Sequence, residues 1–252
     1  MNPVVTIGGS TCTSPVVSVG GSVVTCTAPS GGGSVTVEVT VVDQSATYPF
    51  TYAMPVINSI ESDSNAAIGD GTLTLTGTSF GGSSVAVTVG DQDCAVISPS
   101  DTQVTCDLPA GTGLSNNVVI VVDGLTSNTL NFAYAAPVVT SYEPTEVPCS
   151  GGTVTIHGAN FGVTDADVSI TLMGGDCVVT STADDAIECT LPTRATTKIT
   201  TGLLEIVDQV VELSLSYVAP VLTSVTPGIY LTYITHTHIY HIYISLYYVD
   251  YE

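Results

Sequence analysis

The sequence predicts an all-β chain built from tandem small domains, two complete and one truncated, strung end to end. Three observations carry this. Val, Thr and Ser dominate a chain of 252 residues that is 44% apolar, and no stretch sustains a helical period. The segments "PVINSI", "PVVTSY" and "PVLTSV" begin at Pro55, Pro137 and Pro220, at intervals of 82 and 83 residues. Six of the seven cysteines fall in pairs, one pair to each repeat.

Each element inside the period has its counterpart. "GDGTLTLTGTSFG" (69–81) matches "SGGTVTIHGANFG" (150–162), both reading as an alternating strand that runs into a turn. "PVVTIGGSTC", "VAVTVGDQDC" and "VSITLMGGDC" form the next strand, ending on Cys12, Cys94 and Cys177. "VVTCTAP", "QVTCDLP" and "AIECTLP" follow, each with Cys-x-x-Pro and contributing Cys26, Cys106 and Cys189. Apolar segments such as "NNVVIVVDG" and "TGLLEIVDQ" come next, and Tyr52, Tyr134 and Tyr217 each stand three residues ahead of the next proline.

These residues resemble the IPT/TIG family of immunoglobulin-like domains over residues 1–228. The features that carry the likeness are the opening Pro, the Gly-Gly, the G-x-x-F-G turn, the cysteine pair, Cys-x-x-Pro and the closing Tyr. The resemblance implies early-set immunoglobulin-like β-sandwiches of about seven short strands, a size also expected from the regular turn signals. It places repeats at 55–136 and 137–219, a repeat at 1–54 lacking the first two strands, and the start of a fourth at 220–252. Gly77 and Gly158, with Gly81 and Gly162, are expected to permit a sharp turn. Phe80 and Phe161 are expected to plug one end of each sandwich, and the three tyrosines to close the other.

One cysteine pair per repeat predicts the disulfides Cys12–Cys26, Cys94–Cys106 and Cys177–Cys189, and hence an oxidising, extracellular or cell-surface setting. Closing loops of this size contributes roughly 3 kcal/mol each in the chain-entropy model. No CxxC occurs, which argues against zinc-ribbon and thioredoxin-type chemistry. Cys149 has no counterpart in the preceding repeat and reads as unpaired: a free or buried thiol, or one bonded to another chain. The opening "MNPVVTIGGS" lacks the charged and apolar regions of a signal peptide, so the sequence reads as part of a longer protein.

Charge removes further classes. Arg194 and Lys198 are the only Lys or Arg residues against 23 acidic ones, a formal charge of −21. Such a surface repels phosphate, so no nucleic acid is expected as partner, and docking to anionic membranes is disfavoured. Without any Trp, a sugar-stacking platform is unpromising. Neither G-x-S-x-G nor H-E-x-x-H occurs, and His157 is alone in its repeat, so neither an enzyme nor a cofactor is expected. Asp91/Asp93, Asp165/Asp167 and Asp184/Asp185 lack the ligand order of an EF-hand and read as solvated loop charges rather than calcium sites.

The last segment, "GIYLTYITHTHIYHIYISLYYVDYE" (228–252), breaks the pattern. His236, His238 and His241 lie close in sequence, but on a strand the first two share a face and the third points away, poor geometry for three metal ligands. No 18-residue apolar run exists, so direct membrane insertion is not expected. Two readings remain. The favoured one is translated non-coding sequence; the other is a donor segment completing the truncated first repeat of another copy, which without closure would build a filament.

Two function classes follow from the resemblance. The first is a cell-surface adhesion or recognition segment that presents or spaces protein-binding surfaces, as in plexins, growth-factor-receptor ectodomains and amoebal adhesion receptors. The second is the subunit of an extracellular fibre or coat, with self-assembly as its partner interaction.

Overall fold

The computed structural model describes residues 2–148, 150–172, 175–193 and 200–218, together with the backbone of two further strands at 225–229 and 242–246. The chain divides into two units, Met1–Ala135 and Ala136–Glu252. Apart from a single 3-10 turn at Asp165–Asp167, every regular element described is a strand.

The first unit holds two of the sequence repeats. The earlier one contributes β1 (Val4–Ile7), β2 (Ser10–Thr11), β3 (Thr13–Val17), β4 (Val24–Thr27), β5 (Ser34–Val41) and β6 (Gln44–Thr51). These form an antiparallel sheet in the order β2-β1-β5-β6 and a separate β3-β4 pair. The later repeat contributes β7 (Val56–Ser62), β8 (Thr72–Thr78), β9 (Val85–Val89), β10 (Gln92–Pro99), β11 (Gln103–Asp107), β12 (Asn116–Val122), β13 (Leu125–Thr126) and β14 (Leu130–Phe132). Its strand order is β13-β12-β9-β10-β11-β8-β7, with β14 also beside β12. Strand β10 pairs with β9 through Gln92–Cys94 and then with β11 from Ala95 onwards, so it passes from one layer to the other.

The second unit separates the same layers fully. Strands β15 (Val138–Glu143), β16 (Glu146–Val147), β17 (Gly152–Ala159), β18 (Val168–Leu172), β19 (Gly175–Asp176), β20 (Val178–Ala183), β21 (Ala186–Leu191), β22 (Thr200–Ile206) and β23 (Gln209–Tyr217) form two sheets. One runs β15-β17-β21-β20 and the other β16-β23-β22-β18-β19. The β16–β23 pairing is parallel, matching Glu146 with Ser216 and Val147 with Tyr217. The backbone segments β24 (Val225–Ile229) and β25 (Ile242–Leu246) pair antiparallel with each other. The histidines His236, His238 and His241 lie outside the described residues, as does Cys149.

Alternation explains the cores. In β8, Leu73 and Leu75 point inward between outward threonines, and in β12 the inward set is Val118, Ile120 and Val122. Val154 and Ile156 of β17 and Leu204 and Ile206 of β22 do the same in the second unit. Phe80 and Phe161 are fully enclosed and cap these cores, each contributing a large apolar area.

Two of the four turn glycines sit just ahead of the turn: Gly77 and Gly158 lie inside β8 and β17. A Cβ on Gly77 would stand 2.0 Å from the Val56 carbonyl oxygen and 2.4 Å from the Phe80 ring; on Gly158 the distances to Val138 and Phe161 are 1.9 and 2.3 Å. These glycines make room for the ring and the first strand. The left-handed conformation falls on Ser79 (φ 62°) and Asn160 (φ 61°), just before each Phe, and on Gly162 (φ 76°) just after the second.

Each repeat of the first unit is closed at its far end by a tyrosine. Tyr52 donates to the Pro29 carbonyl at 3.1 Å, and Tyr134 to the Pro109 carbonyl at 2.7 Å. Phe50 and Phe132 pack edge-on against these rings at 5.0 and 5.1 Å. Gly31 and Gly111 lie beneath them, where a Cβ would stand 2.6 and 2.7 Å from ring carbons. Burial pushes the Tyr134 hydroxyl up to about 12. The folded state therefore holds this proton more tightly than the unfolded chain, whose tyrosines ionise near 10. The resulting stabilisation is complete below about pH 10 and is lost as pH rises through about 12. Ultraviolet titration is expected to show one tyrosine ionising near 12, absent in Tyr134→Phe. That variant should also lose about 1 kcal/mol in denaturant unfolding at neutral pH, the usual contribution of one hydrogen bond.

Candidate functional site

All six cysteines of the sequence pairs are bonded within their own repeats, with Cα separations of 5.8 Å (Cys12–Cys26), 5.4 Å (Cys94–Cys106) and 5.5 Å (Cys177–Cys189). Their placement is the same each time. Cys12 lies between β2 and β3, Cys94 where β10 changes partners, and Cys177 between β19 and β20. The partner cysteine sits on β4, β11 or β21. Each bond thus ties the crossing of the chain between layers to the strand alongside.

What surrounds those strands differs. β11 is flanked by β8, with Cys106 opposite Leu73, and β21 by β17, with Cys189 opposite Val154. Among the described residues no strand lies on the far side of β4. Cys26 is accordingly half-buried, whereas Cys106 and Cys189 are fully enclosed. The uncovered layer continues onto β5. Val41, at the inner position before the β5–β6 turn, is 43% exposed; Val122 and Ile206 at the same place are 1% and 0% exposed. Val37 and Val39 are half-buried where Val118 and Ile120 are sealed. Among the described residues, the inner face of β5 and the edge of β4 therefore lack the neighbouring strands that β7 and β8, or β15 and β17, supply in the later repeats.

The acidic residues singled out by sequence do not converge. No group of three His, Cys, Asp or Glu side chains able to hold a metal occurs among the described residues. Asp184 is a turn acceptor: its carboxylate takes the Gly162 N–H at 3.2 Å and its carbonyl the Phe161 N–H at 3.1 Å. Asp101 offers its carbonyl to Phe80 in the same way. His157 stands 3.6 Å from the exposed Glu143 across the β15–β17 pair, a surface contact. Sequence reasoning passed over Asn128, whose side-chain oxygen accepts from Ile57 N–H at 2.8 Å while its amide donates to Ile57 C=O at 3.0 Å. One side chain here stands in for a neighbouring strand, a role no composition rule announces.

Among the described residues no helix is long and apolar enough to cross a membrane. The family model described as "IPT/TIG domain" matches residues 55–134 and 137–219. Mouse (Mus musculus) fibrocystin-L is 34% identical over 148 residues, which is 58% of this chain and 4% of that protein. The human (Homo sapiens) protein is 32% identical over 142 residues, 55% of this chain and 3% of its own length. The chain thus spans a few per cent of the curated relatives it matches. A solved chain of the full plexin A4 extracellular region is 18% identical, covering 65% of this chain and 18% of that one, with a TM-score of 0.34.

The unequal shielding of the three disulfides has a direct chemical consequence, because exchange requires a thiolate to reach sulfur. Under mild reductant without denaturant, differential alkylation with mass spectrometry is expected to label Cys12 and Cys26 first. Release of Cys94–Cys106 or Cys177–Cys189 ahead of that pair would contradict the assignment of β4 as an uncovered strand.

Proposed function

The chain belongs to the IPT/TIG domain family, and on that premise we propose that it is a non-enzymatic extracellular segment of a cell-surface adhesion or recognition protein. The observation that carries the reading is the repetition itself: tandem sandwiches, each with its own disulfide across the layer crossing. Small disulfide-bonded sandwiches of this kind persist in oxidising compartments, outside the cytosol. The strongly acidic surface disfavours nucleic acid and directs the expectation to a protein partner, with no cofactor required. In this role the array spaces or presents binding surfaces.

The test uses the full chain, fluorescently labelled and applied to intact cells. Saturable binding that survives chelation and disappears after the cell surface is shaved with protease supports a protein partner. Binding that fails to saturate, or that shaving leaves unchanged, would overturn the reading.

A second reading is that the chain is a subunit of an extracellular fibre or coat, assembling head to tail. Sedimentation velocity separates the two. Open-ended growth with concentration supports assembly, while a single monomer boundary across the range defeats it.

A further inference from the structure

The two repeats of the first unit meet at a joint assembled from glycines and one carboxylate. Asp123 opens the two-residue turn between β12 and β13, where Val122 faces Leu125. Val42 holds the same position between β5 and β6, and Val207 between β22 and β23. All three adopt positive φ (58°, 46° and 56° in chain order), so the turns are alike and only the middle one carries a carboxylate at its first position.

That carboxylate is surrounded by donors. Its Oδ2 accepts the Ser83 N–H at 3.0 Å, and its Oδ1 accepts the Ser84 N–H and the Ser83 hydroxyl, both at 2.8 Å. From the other repeat, the Gly32 backbone lies against the same carboxylate. The backbones are pared down to allow this. A Cβ on Gly32 would stand 2.8 Å from Val122 Cγ1 and 2.9 Å from Asp123 Oδ2, and one on Gly33 would stand 2.7 Å from the Asp123 carbonyl oxygen. From the second repeat, a Cβ on Gly82 would stand 2.3 Å from Val122 Cγ1, and one on Gly81 2.9 Å from Ser30 Cβ. Three glycines from two repeats thus converge on one turn, with Gly81 against Ser30 beside it.

We propose that Asp123 is the residue that locks the first repeat to the second, its carboxylate gathering the backbone from both sides into a fixed joint. A connection of two or three residues does not by itself hold two sandwiches in one orientation. Here the N–H groups of Ser83 and Ser84 share one acceptor with the Gly32 backbone against it, and charge-assisted bonds of this kind are the stronger class. The Ser83 hydroxyl first, and then the backbone N–H groups, hold the Asp123 carboxyl below its ordinary range, so it is ionised at neutral pH. The joint fixes the orientation of the first repeat relative to the second.

Residual dipolar couplings on the full isotope-labelled chain test the proposal without reference to any partner. Couplings from β1 and β5 and from β9 and β12 should fit one alignment tensor in the native protein. Asp123→Asn keeps a residue that tolerates positive φ but leaves a single acceptor oxygen and adds a donor among donors. It should split the couplings into two tensors and speed exchange of the Gly32 amide at least about tenfold, while β12 keeps its protection. Gly32→Ala attacks the same joint from the first repeat and should do the same; it decides the matter if Asp123→Asn unfolds the second repeat. A native chain that already needs two tensors, or Gly32→Ala with one tensor and an unchanged Gly32 exchange rate, would overturn the proposal.

Discussion

In every repeat the chain crosses from one sheet to the other at a cysteine, and the bond from that cysteine to the adjacent strand holds the layers together. The bond closes a loop of only 12 to 14 residues, and its effect depends on what lies beyond it. Where β8 flanks β11 and β17 flanks β21, the cysteine strand becomes the middle of a sheet and the core beneath is sealed. Where β4 has no such neighbour the disulfide still forms, yet Val41 stays 43% exposed against 1% at Val122. Full burial of a valine contributes roughly 1.5 kcal/mol or more, so each half-covered position forfeits a sizeable part of that. Among the described residues, the first repeat thus draws on its covalent staple, its tyrosine closure and its contact with the second repeat alongside its core.

That division of labour ties stability to function. An immunoglobulin-like sandwich in a recognition array is ordinarily a sealed spacer with its binding groups on loops. The joint at Asp123 holds the first repeat in one orientation against the second. The surplus of acidic charge limits nonspecific association, since copies of the chain repel one another at long range.

Most of the architecture was legible in the sequence because its signals are local and repeated. Leu73 and Leu75 alternate with threonines, the phenylalanine follows its glycine at fixed spacing, and the cysteines recur with the period. The details that escaped depend on register. "VVDQ", "VVDG" and "IVDQ" align their aspartates, yet β12 runs one residue further into its motif than β5 or β22. Asp123 therefore takes the first turn position, while Asp43 and Asp208 take the second. Similarly, the clash expected of a side chain at Gly77 and Gly158 is with the Phe80 and Phe161 rings and the first strand, one step ahead of the turn. The left-handed conformation itself falls on Ser79, Asn160 and Gly162. The mimicry of a strand by Asn128 is a contact across 71 positions, beyond any local pattern.

The parallel pairing of β16 with β23 gives the second unit a mechanical character. An early strand and the closing strand of the repeat at 137–219 run in the same direction, with Glu146 opposite Ser216, Val147 opposite Tyr217, and Val218 donating to the Val147 carbonyl at 2.9 Å. Tension applied through the chain on either side pulls these two strands along their length in opposite senses. The hydrogen bonds lie across that pull, so they are loaded together in shear and must yield together, whereas an antiparallel terminal pair would peel open one bond at a time. A short parallel patch at the edge of a sheet therefore resists extension more than an antiparallel pair of the same length would.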